Sequence, residues 1–235
     1  MILTLFIITS ATFFLMHSIP GDPLAYMAKN LPEQTRENYY AKYGLDKPKT
    51  EQYGIFLKNL LTKGELGESL RYPGRSVTDT IMTNSKVSAV PGGLALLIGL
   101  VIGVLLGIIA ALNRNKWPDY LVMFIAIIGI TVPVFVLAAV LQYVFTVKFQ
   151  VLPTTGWGKP ENIILPVAVM CLGTIATYAR YVKSNMLDVL GQDYILTAEA
   201  KGVDRFHVIK DHVLRNAFLP CLTILGGQIS GIFTG

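Results

Sequence analysis

The chain has 235 residues, of which 52% are apolar and only 15% charged, and its mean hydropathy is +0.51. A chain this apolar is excluded from the soluble domains of its length and reads as a membrane protein. Its formal charge of +5 suits anionic headgroups or an acidic protein surface better than nucleic acid, so no nucleic-acid partner is expected.

In chain order, residues 1–19 form the first uncharged stretch long enough to cross a hydrocarbon layer about 30 Å thick. It lacks the basic flank and small-residue cleavage site of a signal peptide, so it reads as a spanning anchor. Pro20-Gly-Asp-Pro23 then stops the helix. The connection 20–88 carries ten basic and eight acidic residues, and loops of this length cross membranes largely regardless of charge. Within it, Tyr53, Phe56, Leu57, Leu60 and Leu61 fall on one face of an expected amphipathic helix ended by Lys63-Gly64. Three uses fit that helix: capping the outer mouth of a pathway, receiving a partner, or lying on the membrane surface.

Residues 89–112 and 120–147 are the second and third spans. Gly99, Gly103 and Gly107 make two successive GxxxG steps, which strip one face so that another helix backbone can approach closely. Pro133 removes a backbone hydrogen bond midway along the third span and is expected to kink or break it. Leu152-Pro-Thr-Thr-Gly-Trp-Gly158 reads as a short external turn with Trp157 at the interfacial belt. Span four, 163–182, carries only Arg180 near its end, where the side chain can snorkel to the headgroups. The last apolar stretch, 217–235, makes five spans in all.

The connections 113–119 and 183–216 hold Arg114, Lys116, Lys183, Lys201, Arg205, Lys210 and Arg215, whereas 148–162 holds only Lys148 and Lys159. The positive-inside rule therefore puts the first two in the cytosol, the segment 20–88 outside, and the amino terminus in the cytosol. Cys171 and Cys221 both lie in apolar spans as packed small hydrophobes, with no paired spacing that would suggest a metal or a disulfide. The missing basic flank and an ending at Phe233-Thr-Gly235 inside an apolar run suggest a chain that is incomplete at each end.

Between the last two spans lies a polar, helix-forming insert. Residues 187–200 read as a short helix interrupted at Gly191, with Tyr194, Ala198 and Lys201 on one face and Leu190, Thr197 and Ala200 nearby; Gly202 stops it. A second stretch, 205–218, places Phe206, Ile209, Val213 and Ala217 at helical spacing and runs unbroken into the last span. The small residues Ala198, Ala200 and Gly202, bracketed by Tyr194 and Glu199, can seat in a groove on another protein; on composition alone a plain solvated connection is the more ordinary reading.

The order of residues separates these uses. Residues 187–223, LDVLGQDYILTAEAKGVDRFHVIKDHVLRNAFLPCLT, resemble the cytosolic signature loop of the inner-membrane permease subunits of ABC importers, in the variant of the oligopeptide, dipeptide and nickel group. Pro20-Gly-Asp-Pro23, Tyr43-Gly-Leu-Asp46, Gly64-Glu-Leu-Gly-Glu-Ser69, Leu152-Pro-Thr-Thr-Gly-Trp-Gly158, Ile164-Leu-Pro166 and Ser184-Asn-Met-Leu187 are similar to that family's pattern in the same order. The resemblance implies an all-α, polytopic transmembrane helix bundle of the type I importer permease kind, with five spans present of an expected six, in a bacterial inner membrane. It departs before the second span, where this chain reads Asn84-Ser-Lys-Val-Ser-Ala-Val-Pro-Gly-Gly93, leaving the start of that helix open.

The resemblance also implies partners: a second homologous permease, two cytosolic ATP-binding subunits and an extracytoplasmic solute-binding protein. Asp193, Tyr194, Thr197, Ala198, Glu199, Ala200, Lys201 and Gly202 match the family's ATPase-docking motif, and His212, Arg215, Asn216, Ala217 and Pro220 its downstream half. The coupling helix would run from about residue 190 to 201. The implied cargo is short peptides, with nickel or another small solute as the alternative.

Two other classes fit less well. A membrane enzyme would need a nucleophile, paired acids or metal ligands at depth, but there is no HExxH or GxSxG, and His17, His207 and His212 are scattered. Asp188, Asp193, Asp204 and Asp211 lie in a solvated segment where carboxylates are ordinary surface charge. An ion-coupled carrier would place ionisable groups near the midplane, and no Asp, Glu, Lys or Arg falls in the middle of any span. No catalytic residue, cofactor or metal is therefore expected, and the driving energy should enter through a partner.

Overall fold

The computed structural model describes residues 2–19, 32–69, 72 and 74–234. The expected helix stop at Pro20-Gly-Asp-Pro23 lies outside the described residues. Among those described, every regular element is helical apart from one isolated antiparallel bridge between Glu68 and Ser76. Contacts divide the chain into two compact units, Met1–Ser85 and Lys86–Gly235.

The first unit contains α1 (Ile2–Ser18), α2 (Glu33–Tyr43) and α3 (Lys49–Lys63). Gly44 and Gly64 end α2 and α3 in the left-handed conformation, at φ 61° and 66°, where a residue without Cβ carries no steric cost. α3 is the amphipathic helix expected from the sequence, and its apolar face packs against α1. Phe13 sits 5.1 Å from Tyr53 and 5.5 Å from Phe56 between ring centroids, and the Ser10 and Tyr53 hydroxyls share a hydrogen bond. Leu61 does not join this face and is 81% exposed, because eight residues after Tyr53 a 3.6-residue helix has turned about 80° past the stripe. The Lys42 ammonium donates to Glu68 at 2.7 Å, which raises its pKa above the ordinary lysine value.

α4 (Val77–Leu112) starts well before the apolar stretch at residue 89. Ser76 supplies its cap, its hydroxyl accepting from the Asp79 N–H at 3.2 Å, and the helix runs through Pro91. The third apolar stretch is broken at Pro133 into α5 (Trp117–Thr131) and α6 (Val134–Gln142), the latter continued by a π-helical segment Tyr143–Lys148. The two halves meet at 102°. Val132, the residue before the proline, is driven to an extended backbone (φ −78°, ψ 124°), so the chain turns sharply there.

α7 (Pro160–Leu190) is the centre of the second unit. It packs against α5, α6 and α9 (Arg215–Thr234) and buries Val169, Cys171, Ala176, Tyr178, Ala179, Val182 and Met186. The glycine stripe of α4 faces it. A Cβ added to Gly103 would stand 2.8 Å from the Ile175 carbonyl oxygen, and at Gly107 2.7 Å from Val182 Cβ. The GxxxG steps are therefore the floor of a close helix contact, as their spacing predicts. Gly129 of α5 approaches α7 in the same way, 2.8 Å from the Leu172 carbonyl.

Among the described residues, three helices, Val77–Leu112, Pro160–Leu190 and Arg205–Phe233, are long and apolar enough to cross a membrane; the bent pair makes a fourth if it crosses as one. Ile2–Ser18 is apolar but shorter. Of the five apolar stretches read from the sequence, three are such helices, one is the broken pair and one is the shorter Ile2–Ser18. Cys171 and Cys221 are both free and buried.

Candidate functional site

The polar segment after α7 is a built structure. α7 ends at Gly191, whose N–H donates to the Leu187 carbonyl, and a separate helix α8 (Asp193–Ala200) follows. Residues 187–190, read from the sequence as the start of the loop helix, are the last turn of α7. At the far end of α8, the Gly202 N–H donates to the Glu199 carbonyl (2.9 Å) and the Val203 N–H to the Ala198 carbonyl (3.2 Å). This paired pattern with Gly202 at φ 80° is a Schellman stop, and it satisfies carbonyls that would otherwise be left open. Gly202→Ala is expected to cost about 1 kcal/mol. A thermal midpoint of the purified protein that does not move would show that the turn tolerates a side chain.

Asp204 begins the next helical run. Its Oδ1 accepts from the Phe206 (3.0 Å) and His207 (3.2 Å) N–H groups, and its Oδ2 pairs with the His207 ring. The ring beside it and these N–H donors hold the Asp204 carboxyl below the usual carboxylate range. A single α-turn, Arg205–His207, leads into a π-helical segment Val208–Leu214 and then α9.

Ile195 and Ala198, three residues apart on α8, face inward and are 1% and 8% exposed. They join Tyr178, Val182 and Met186 of α7 and Val208, Val213, Ala217 and Cys221 in one core cluster. Ala198, expected among the docking contacts, is a buried residue of this cluster, because the Ile195 side of α8 is the side turned to the core. Phe206 likewise leaves the stripe expected of it and stands 68% exposed, while Val208 takes the core position. The cause is the π segment: its wider turn aligns residues five apart, so Val208 and Val213 share a face, which a 3.6-residue count does not anticipate.

The other expected site residues divide into two groups. Asp193, Thr197, Glu199, Ala200, Lys201 and Gly202 are exposed around the outer face and end of α8, and Thr197 donates its hydroxyl to the Asp193 carbonyl. Tyr194 and Asn216 are brought together: the Asn216 amide donates to the Tyr194 hydroxyl at 3.2 Å and to the His212 carbonyl at 2.9 Å. That bond ties α8 to the start of α9. Arg215 and Pro220 are exposed and Ala217 is buried.

Sequence reasoning missed three features here. Leu196 stands 60% exposed on the outer face of α8. Asn185 of α7 donates to the Ala217 carbonyl of α9 at 3.3 Å. Lys183 of α7 pairs at 2.5 Å with Asp119, itself 3% exposed in the first turn of α5 and also accepting from the Asn115 N–H. In the sequence Lys183 reads only as a cytosolic charge, and no local pattern links it to an aspartate so far back in the chain.

The fold and this segment define an all-α, multi-pass membrane protein with a polar, packed knob between two of its long helices. Residues 103–235 match the model of the binding-protein-dependent transport system inner membrane component, and residues 1–87 that of the amino-terminal part of the same membrane component. The chain belongs to this family and is a permease subunit of an ABC importer. It is 40% identical over 232 residues to the dipeptide transport system permease protein DppB of Bacillus subtilis, covering 99% of this chain and 75% of that protein. It is 39% identical over 234 residues to the oligopeptide transport system permease protein OppB of Haemophilus influenzae, covering 99% and 76%. Against the DppB protein of Lactococcus lactis the identity is 36%, covering 100% and 77%.

Proposed function

We propose that this chain forms half of the membrane pathway of an ATP-driven importer of short peptides, and that α8 with its flanking turns is the surface through which a cytosolic ATPase drives it. The partners are a second homologous permease, two cytosolic ATP-binding subunits and an extracytoplasmic solute-binding protein. In this arrangement the amino terminus and the segment 183–216 are cytosolic and the segment 20–88 is outside. The names of the relatives, dipeptide and oligopeptide permeases, favour peptides over nickel complexes as the cargo.

The observation that carries the docking role is the two-sidedness of α8. Its inner side is locked to α7 and α9 by Ile195, Ala198 and the Tyr194–Asn216 bond, while its outer side offers Leu196, Glu199 and Ala200. A helix held in this way passes a push at its outer side to both long helices as a rigid-body movement. Leu196 and Phe206 are the exposed apolar anchors, flanked by charge, that a protein cleft would desolvate.

Leu196→Glu and Glu199→Lys are expected to leave the chain inserted in the membrane but lower ATP-driven peptide uptake by at least about tenfold, with loss of co-purifying ATPase. Uptake and ATPase recovery equal to wild type in both variants would remove the docking role. Competition of uptake by di- and tetrapeptides against nickel chelates, in the full assembly, checks the cargo.

A further inference from the structure

A groove of about 600 Å³ runs beside α7, lined by Met123 and Ile130 of α5 and by Thr177, Arg180, Tyr181, Lys183, Ser184, Asn185 and Leu187. Several of its polar groups are already engaged. Lys183 is paired with Asp119, the Asn185 amide donates to Ala217, and the Thr177 hydroxyl donates to the Gly173 carbonyl. Arg180, Tyr181 and Ser184 make no ion pair or side-chain hydrogen bond among the described residues, and all three are exposed. One helical turn separates Arg180 from Ser184, with Tyr181 between them, so the three donors open on one side of α7.

Arg180 lies near the end of its span, where its long side chain reaches the headgroup level, and a guanidinium there that faces a groove with no partner of its own is free to receive an anion. Arginine supplies a planar fork that matches a carboxylate with two parallel hydrogen bonds, and hydroxyls at its flank add single donors. We propose that Arg180, with Tyr181 and Ser184, receives the carboxylate of the peptide as it passes this permease. The proposal rests on the peptide-importer reading and adds the chemical group recognised. An anionic lipid headgroup presents the same chemistry to the same fork, and the test separates the two.

The complete transporter, with its ATPases and solute-binding protein, is reconstituted in vesicles and given trialanine or trialanine amide. Uptake by Arg180→Gln is divided by wild-type uptake for each peptide, so that selection by the solute-binding protein cancels. The expected result is a loss of roughly tenfold or more for trialanine, little change for the amide, and substantial recovery for trialanine in Arg180→Lys. Equal loss for both peptides, or none for trialanine, overturns the proposal. A loss present in vesicles containing phosphatidylglycerol and absent in phosphatidylcholine alone also overturns it and assigns Arg180 to a headgroup. Wild-type transporter that imports neither peptide sinks the peptide reading itself and this proposal with it.

Discussion

Lys183→Ala is expected to destabilise the protein by about 3–5 kcal/mol, because it strands the Asp119 carboxylate in the packed interface of α5 and α7. The pair spans 2.5 Å and Asp119 is 3% exposed, so water does not replace the ammonium, and Arg114, the other cation that acts on this carboxylate, interacts with it more weakly than Lys183. The Asn115 N–H remains as a donor to the other carboxylate oxygen, which offsets only part of the loss. The measurement is the yield and thermal midpoint of the purified assembly. The double change Asp119→Leu with Lys183→Met is expected to recover most of the loss, since removing both charges leaves no buried ion. A single variant as stable as wild type would show that solvent reaches Asp119.

The second large effect lies on the glycine stripe. Gly103→Ala places a methyl 2.8 Å from the Ile175 carbonyl oxygen and 2.9 Å from Tyr178 Cβ, atoms that cannot rotate away. α4 must then back off from α7, and overpacking of this kind costs about 1–3 kcal/mol. Gly93→Ala on the same helix is the control, because its Cβ meets nothing within 4 Å and alanine is the better helix former. The expected outcome is a lowered thermal midpoint for Gly103→Ala and none for Gly93→Ala. Equal midpoints for the two would mean that α4 and α7 are not held as closely as the distances require.

Both effects depend on pairs that share no local pattern, and the same holds for most of what was hard to read in the chain. The GxxxG steps announced a close helix contact, but not that Thr174, Ile175 and Val182 of α7 would supply the other side. Pro133 announced a break, whereas the 102° turn depends on how the two halves settle against α7. In the candidate site, Gly202 was legible as a helix end, because a glycine at a helix terminus acts through its own backbone, whereas Gly191 was legible only as an interruption and is where α7 ends. The inward turn of Ala198 was not, since α8 is too short for its apolar positions to select a face unaided.

The π segment shows the same division. Helical continuity from residue 205 into the last span follows from composition and the absence of a breaker, but the change from four-residue to five-residue spacing does not. It exchanged Phe206 for Val208 in the core and left an exposed aromatic beside α8. No count along a 3.6-residue helix would have placed either.

Taken alone, the order of amino acids determined that this is a helical, multi-pass membrane protein, that its helices break at Pro133 and stop at Gly64 and Gly202, and which family it resembles, because hydropathy, proline and glycine act within a few residues of themselves. Only the tertiary structure decided that Asp119 pairs with Lys183, that α8 turns Ala198 inward and Leu196 outward, and that Arg180 faces a groove without a partner. Those outcomes depend on contacts between segments distant in the chain, whose energies exist only once the helices have packed.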